Sequence, residues 1–466
     1  MPPKFGTSGL RGLVTELTPD LITNYTRAFL AACPHGGAVH VGQDLRPSSP
    51  AIAQVVIGAV RAAGLRALDV GAVPTPALAL GSMAAGHSAI MVTGSHIPAD
   101  RNGLKFYVPG GEVSKAEEVA INAYLGQTWE HAPTPGLVEI VTDTAETYMS
   151  RYTDCLGSRA LAGLRIGIYQ HSTVARDILG RVVTDLGGTA IPLARSATFI
   201  PVDTEAINPN TRRLLATWCR ENRLEALISA DGDADRPMMT DATGTIIPGD
   251  VLGPLTAAML GARVLCTPVS SNSMITEMAM FDSIIRTRIG SPFVIAAMNE
   301  ALAADPAATV AGYEANGGFL LGFEAQGPAG RIAPLATRDG LLPMLVPLAD
   351  AHARGLSLAE LVAALPPVFT AADRVAGVPT EDSAGLIAEL TDNPAARAAF
   401  FDAMGPEQSL DLTDGLRVRF TSGRVVHLRP SGNAPECRCY AEAESAATAT
   451  ELVTSHLARL KARLAP

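Results

Sequence analysis

The chain of 466 residues has no basic excess. Lysine and arginine number 36 against 46 aspartates and glutamates, a net charge of −10 with histidine neutral. A broad nucleic-acid footprint needs clustered positive charge, so this composition argues against nucleic acid as a partner. An acidic protein binds an anionic ligand by gathering its arginines locally. Charged residues are sparse at 18% and hydrophobic ones make up 47%, with a mean hydropathy of +0.21. Long apolar runs are nevertheless missing. The longest uncharged stretch, between Asp69 and Asp100, is interrupted by Pro74, Pro76, Gly81, Gly86, His87, Gly94 and Ser95. It cannot form one spanning helix, so no membrane is expected as a partner. The opening Met-Pro-Pro-Lys-Phe-Gly has no apolar h-region, and no secretory signal is expected. Cysteine is scarce and scattered, at 33, 155, 219, 266, 437 and 439. Only Cys437 and Cys439 are close, and C-x-C alone is not a zinc pair. Reduced thiols in a cytoplasmic protein are the expectation.

Apolar β-type runs alternate with helical patterns over most of the chain. Strands are expected at 38–42, 67–70, 89–92, 164–169, 226–229, 262–267, 283–286 and 309–312. Helices are expected at 51–63, 144–155, 175–186, 211–221, 273–280 and 293–303. This alternation argues for α/β layers with largely parallel strands. The C-terminal part reads differently. Helices at 383–389 and 395–403 precede strands at 415–420, 425–430 and 437–442, and a long helix at 446–464 closes the chain. That pattern is α+β and suggests a separate domain. Length alone suggests roughly three domains. The first three βα units are similar in size, which hints at a duplicated architecture.

Several loops carry the chemistry. Val92-Thr93-Gly94-Ser95-His96-Ile97-Pro98 follows an apolar strand, so the Ser95 hydroxyl projects toward the crevice where α/β ligands bind. Ser95 fits a nucleophile, a phosphate carrier or a plain turn serine. G-x-S-x-G is absent, which excludes the hydrolase elbow. Asp231-Gly232-Asp233-Ala234-Asp235-Arg236 places three carboxylates at alternate positions after the strand at 226–229. They repel one another unless a cation sits among them, and hard oxygen ligands of this kind suit Mg²⁺. Arg236 and Ala242 stand where a calcium loop needs Gly and Glu. Arg236 beside a metal would suit a phosphate oxygen. Arg429-Pro430-Ser431-Gly432-Asn433-Ala434-Pro435, followed by Arg438, fits an anion nest or a plain turn. Phe5-Gly6-Thr7-Ser8-Gly9-Leu10-Arg11-Gly12 and Arg101-Asn102-Gly103-Leu104-Lys105 add cations. Gly312-Tyr313-Glu314-Ala315-Asn316-Gly317-Gly318 offers Glu314 and Asn316 as hydroxyl partners. Each of these three also reads as a turn.

Taken together and in this order, the motifs resemble those of the α-D-phosphohexomutase superfamily, in its phosphomannomutase/phosphoglucomutase branch. The resemblance covers essentially the full length. It implies three related α/β domains with mixed, largely parallel sheets and a C-terminal α+β domain around a central cleft. The divisions are expected at 1–145, 146–247, 248–360 and 361–466. It implies Ser95 as the phosphoserine, with Asp231, Asp233 and Asp235 holding Mg²⁺ and an oxygen on Ser95 completing the metal site. Arg236 would support the transferring phosphoryl group. Arg11 and Lys105 would lie near that group as acid or base partners, and His96 would contact the reacting hydroxyl. Glu314 and Asn316 would meet sugar hydroxyls. Arg429, Ser431, Gly432, Asn433 and Arg438 would hold the phosphate that is not reacting. An arginine normally stays protonated, so Lys105 or His96 is the preferred proton carrier and Arg11 is electrostatic.

The resemblance implies interconversion of mannose 6-phosphate and mannose 1-phosphate, with a hexose 1,6-bisphosphate as intermediate and activator. Departures from the family pattern are Gly94 for Ala and Ile97 for Asn in the serine loop, Asn316 for Ser and Gly318 where many relatives carry His in the sugar loop, and Asn433-Ala434 for Thr-Glu in the phosphate loop; the sugar-contacting ones bear on which hexose is taken. Phosphoglucomutase and phosphoglucosamine mutase are therefore the alternatives. A metal-dependent phosphohydrolase with Asp231 as nucleophile needs Thr or Val at the fifth position of D-x-D-x-[TV], where Asp235 stands. A non-catalytic sensor would not need the intact serine and acid cage. A cytoplasmic monomer or weak homodimer acting on a hexose phosphate is the expectation.

Overall fold

The computed structural model describes residues 3–6, 9–431 and 435–464. Three sheets in it share one strand plan. In the first sheet, Ala38–Gln43 lies between Arg66–Ala72 and Ser88–Val92 and is parallel to both, and Arg101–Val108 returns antiparallel beside Ser88–Val92. The strands Gly9–Leu13 and Lys4–Gly6 extend that edge. In the second sheet, Arg165–His171 takes the central place between Thr189–Arg195 and Ala226–Ala230, and Pro237–Thr240 returns antiparallel. In the third, Val264–Pro268 lies between Ser283–Thr287 and Val310–Tyr313, and Phe319–Leu321 returns antiparallel. The fourth main sheet is antiparallel throughout, in the order Phe369–Ala376, Glu436–Ala443, Val425–Pro430, Leu416–Phe420, Glu407–Asp411.

The parallel half of each sheet is the part that βα alternation reveals. The antiparallel half follows by a short loop with no helix, so alternation does not show it. Arg101–Lys105, read from sequence as a loop piece or turn, is the start of the strand Arg101–Val108, and Gly9–Leu13 is likewise a strand. Ser88–Val92 is buried at all five positions because strands flank it on both sides and layers cover both faces. Pro76 does not break the chain. It stands in the first turn of the helix Thr75–Ala84, where a missing N–H costs nothing. The helix expected over 273–280 is a short 3₁₀ turn, Ser273–Glu277. The Asn272 side chain caps it, and the Ser273 hydroxyl is engaged by Glu442 of the fourth sheet.

One apolar cluster runs through the first three units, from Val70 and Met91 through Tyr148 and Ile228 to Phe319 and Leu361. The fourth unit has its own core, with Val418, Leu428 and Cys439 packed under the stripe Ala449, Leu452, Val453, His456, Leu457, Leu460 of the helix Ala446–Leu464. Leu358 and Leu361 of the helix Leu358–Ala363 still belong to the core of the first three units. All six cysteines are free and buried. Among the described residues no helix is long and apolar enough to cross a membrane.

Candidate active site

The three chemistry-bearing loops leave equivalent places. Residues 93–100 follow Ser88–Val92, residues 231–236 follow Ala226–Ala230, and residues 314–318 follow Val310–Tyr313. Each is the third of the parallel strands of its sheet in chain order, and each loop leaves its C-terminal end, where α/β folds bind ligands. The shared plan therefore delivers one loop from each unit toward a common cleft.

Ser95 is buried and has a φ of 52°, in the left-handed region that costs a non-glycine residue about 1 kcal/mol or more. It is held there from several sides. Its N–H donates to Thr93 Oγ1 at 2.8 Å. Its carbonyl accepts from Arg46 Nη2 at 2.9 Å, and the same guanidinium reaches the carbonyls of Ile97 at 2.6 Å, Pro98 at 2.6 Å and Arg101 at 2.8 Å. Arg46 Nε pairs with Asp44 Oδ2 at 3.2 Å, and its Cζ lies 4.2 Å from the ring centre of Phe199, from the second unit. Gly94 belongs to this arrangement, because a Cβ there would stand 2.5 Å from Arg46 Cζ. The Ser95 hydroxyl donates to Asp231 Oδ2 at 2.6 Å and lies 3.3 Å from His96 Nδ1.

Asp231, Asp233 and Asp235 are buried, and one oxygen from each lies within 4.8 Å of the others. Ala234, between Asp233 and Asp235, has a φ of 61°, in the left-handed region. Lys105 Nζ bridges Asp233 Oδ2 at 2.6 Å and Asp235 Oδ2 at 2.5 Å, and Thr75 Oγ1 donates to Asp233 Oδ2 at 2.6 Å. Among the described residues, Asp233 Oδ1 and Asp235 Oδ1 are buried with no hydrogen-bond partner. Orphaned buried carboxylate oxygens of this kind are costly unless a cation supplies their partner. The donor set therefore fits a divalent ion bound by hard oxygens.

The electrostatics follow from that crowding. Burial, then Asp233 and Asp235, push the Asp231 carboxyl well above its ordinary range. Burial also acts upward on Asp235, but Arg338, Lys105 and Arg236 together outweigh it and hold Asp235 strongly acidic. Burial works against the Lys105 ammonium, and Asp233 and Asp235 override it, so Lys105 is held charged. Burial, reinforced by Arg236 and Arg11, drives the His96 imidazole far below its usual range, so it is neutral at pH 7. Burial and Arg236 lower Arg11 to about 10, which leaves it charged at neutral pH.

In the third unit Glu314 Oε2 accepts from Arg338 Nη1 at 3.0 Å, and Asn316 Oδ1 accepts from the Gly318 N–H at 3.0 Å. In the fourth unit Arg374, Arg438 and Arg429 are aligned in register across three adjacent strands. Arg438 Nη2 pairs with Glu436 Oε1 at 2.8 Å, Arg429 Nε lies 3.4 Å from Asp414 Oδ1, and the Ser431 N–H donates to the Glu436 carbonyl at 2.9 Å. Among the described residues, no hydrogen bond or ion pair links Arg429 or Arg438 directly to the Ser95 centre. Glu205 pairs with Arg236 Nη1 at 3.6 Å and feels the charges of Glu314 and Arg438 as well. Its side chain is 41% exposed, so solvent reaches into the space these charges surround.

The structure thus brings Ser95, His96, Lys105, Arg11, Arg236 and the three aspartates into one centre, with Glu314 joined to it through Arg338. Gly432 and Asn433, and also Thr7, Ser8 and Ala434 of the motifs, lie outside the described residues. Sequence reasoning missed Arg46, Thr75, Glu205 and Arg338. Only Arg46 carried a legible signal, a charged pair with Asp44 directly after the strand Ala38–Gln43.

The chain is similar to known proteins over its whole length. The phosphoglucomutase/phosphomannomutase models for α/β/α domain I, α/β/α domain III and the C-terminal domain match residues 2–130, 248–369 and 378–457. The chain is 42% identical to a phosphomannomutase of Sinorhizobium fredii over 100% of both chains, and 41% identical to one of Salmonella muenchen over 99% of this chain and 96% of that one. A phosphoglucosamine mutase of Clavibacter michiganensis is 31% identical over 100% of both chains. Two solved structures share the fold. A phosphoglucomutase/phosphomannomutase family protein of Burkholderia thailandensis has a TM-score of 0.75 at 21% identity, over 98% of this chain and 97% of that one. N-acetylphosphoglucosamine mutase of Aspergillus fumigatus, in complex with GlcNAc-6P and magnesium, has a TM-score of 0.60 at 15% identity, over 100% and 96%. The buried serine beside a three-aspartate cage and the full-length likeness lead to one conclusion: the chain belongs to the phosphoglucomutase/phosphomannomutase family of the α-D-phosphohexomutase superfamily, and is a phosphohexomutase, an isomerase.

Proposed function

We propose that this chain is a phosphomannomutase that interconverts mannose 6-phosphate and mannose 1-phosphate, with Mg²⁺ as its metal and a hexose 1,6-bisphosphate as intermediate and activator. The observation that carries the chemistry is the Ser95 hydroxyl, 2.6 Å from Asp231 within a buried cage of carboxylates and cations. Mannose as the sugar is supported by the full-length relatives at 42% and 41% identity, both named phosphomannomutase. Mg²⁺ is supported by the hard oxygen donors and by the magnesium in the Aspergillus fumigatus complex. Asp231, Asp233 and Asp235 would hold the ion, with a Ser95-borne oxygen beside them; when bound it supplies charge neutralisation at the phosphoryl oxygens.

The chain's own residues do the rest by positioning and charge. The free hydroxyl of the hexose phosphate attacks phosphorus on phospho-Ser95. The Ser95 Oγ–P bond breaks as the sugar O–P bond forms. The hydroxyl proton ends on that oxygen, and His96, with Nδ1 3.3 Å from Ser95 Oγ, stands beside its path. Lys105, Arg11 and Arg236 stay protonated and stabilise charge on the group in transit. The bisphosphate then turns over in the cleft, and its other phosphate returns to Ser95 by the same steps reversed. Arg429, Ser431, Gly432, Asn433 and Arg438 hold the phosphate that is not reacting. Asn316 joins Glu314 at the sugar hydroxyls. Each of the four units, with the last division drawn past Ala363, gives one loop to this cleft. The protein works in the cytoplasm.

The test is a coupled assay over mannose, glucose and glucosamine 1-phosphates with the matching bisphosphate, alongside Ser95→Ala. Isomer formation should be fastest with mannose 1-phosphate, without phosphate release, and Ser95→Ala should abolish it. Near-normal turnover by Ser95→Ala sinks the covalent route, and preference for glucosamine 1-phosphate moves the enzyme to the sibling activity.

A further inference from the structure

Arg338 stands in the cleft with no part in the mechanism above. It lies on the strand Leu335–Asp339, and its side chain is 4% exposed. The guanidinium bridges two loops. Nη2 pairs with Asp235 Oδ2 at 2.7 Å, and Nη1 donates to Glu314 Oε2 at 3.0 Å. Its Nε is buried with no hydrogen-bond partner among the described residues; the nearest carboxylate there, Glu112, is 3.9 Å away. The backbone that carries it is pinned. Neighbouring Asp339 accepts from the Tyr148 hydroxyl at 2.8 Å and the Tyr152 hydroxyl at 2.7 Å.

Gly318 makes this reach possible. A Cβ at position 318 would stand 2.8 Å from Arg338 Cδ and 2.9 Å from Cγ. Gly318 is not among the glycines with positive φ, so space and not backbone conformation calls for glycine there. A buried ion pair contributes little net stability compared with apolar packing, because desolvation offsets the attraction. What this one contributes is geometry. It leaves Glu314 with one carboxylate oxygen, Oε1, for other partners, and it ties that carboxylate to the aspartate cage.

We infer that Arg338 is a positioning residue that sets sugar specificity, and this rests on the reading of residues 314–318 as the sugar loop. By engaging Oε2, Arg338 presents Oε1 of Glu314 to the hexose in one direction. A hydroxyl of the accepted configuration meets it, and its epimer does not. The same guanidinium keeps that acceptor in register with Asp235, so the sugar and the reacting phosphoryl group are located from one fixed point.

Two variants test this. Arg338→Lys keeps the charge but loses the planar fork that spans both carboxylates. Gly318→Ala leaves every charge in place and pushes the guanidinium aside. In both, kcat/KM for mannose 1-phosphate is expected to fall about 10- to 100-fold, mainly through KM, and the mannose-to-glucose preference to shrink at least about fivefold. The Kd of mannose 1-phosphate, measured by calorimetry in a Ser95→Ala background without turnover, should rise by the same factor as KM. A merely structural role lowers the melting temperature and kcat for both sugars together and leaves the preference ratio intact. If both variants keep Kd and the ratio within about twofold of the parent, the inference is overturned. Glu314→Gln separates the two failures. If it too changes neither KM nor the ratio, the sugar-loop reading has failed; if it changes both while the other variants do not, Arg338 alone was misread.

Discussion

Replacing Arg46 by lysine should detach the serine loop from its scaffold. The guanidinium makes four hydrogen bonds to the carbonyls of Ser95, Ile97, Pro98 and Arg101, and a fifth to Asp44. An ammonium has three donors, so at least two of these contacts are lost. Hydrogen bonds involving a charged partner are worth about 1.5–3 kcal/mol each, so the loss is about 3–6 kcal/mol. The contact with the Phe199 ring at 4.2 Å adds about 1 kcal/mol. That is a large part of the ~5–15 kcal/mol stability of a typical domain, and urea unfolding should show a lower midpoint with an unchanged slope. The catalytic consequence is separate. Ser95 sits at φ 52° only because its surroundings hold it there. Released, its Oγ moves away from Asp231, and a displacement of about 1 Å costs roughly 100-fold in rate. The coupled mutase assay, run well below the new melting temperature, should therefore show kcat down about 100-fold with KM little changed. If stability falls as expected while kcat stays within about threefold, Arg46 supports the fold but does not aim the serine.

Three further outcomes are open to direct measurement. Removing divalent cations with excess EDTA should stop turnover and Mg²⁺ should restore it; undiminished activity in EDTA contradicts the reading of Asp231, Asp233 and Asp235. Arg429→Ala should raise KM for the sugar phosphate by about tenfold or more, the value of one charge-assisted contact, and an unchanged KM removes Arg429 from the phosphate clamp. Asp250 is buried, and burial lifts its carboxyl from 3.8 to about 7. A raised acid contributes stability that is fully present below its unfolded value and is lost as pH rises through the folded value. Each unit of separation is worth about 1.4 kcal/mol. Asp250→Asn, which keeps an oxygen for the Asn272 N–H now 3.0 Å away, should lack that loss. Its melting temperature should gain on the parent between pH 4 and 7, and parallel pH profiles contradict the assignment.

Much of the site was legible because the chemistry is written locally. Asp231, Asp233 and Asp235 are two residues apart, so their mutual repulsion, and the cation it demands, can be read without a fold. Ser95 directly after an apolar strand was legible for the same reason. The cages around these residues are not local. Thr75 lies 158 residues from Asp233, whose carboxylate it bonds, and Arg46 lies 49 residues before the carbonyl it holds. Nothing near Thr75 in sequence marks it as a partner of the site, and the Asp44–Arg46 pair, legible as a charged pair after a strand, does not say which carbonyls it holds.

The amino-acid sequence by itself determined the alternation of strands and helices, the acidic charge balance and the candidate reacting groups, because these depend on neighbours within a few residues. Only the tertiary structure decided that the three loops leave equivalent strands of three like sheets, that Lys105 and Arg338 both converge on Asp235, and that Gly318 is small so that Arg338 can reach past it. Those facts depend on which distant side chains share a dry, crowded cleft, where close approach makes charge strong and a single Cβ decides what fits.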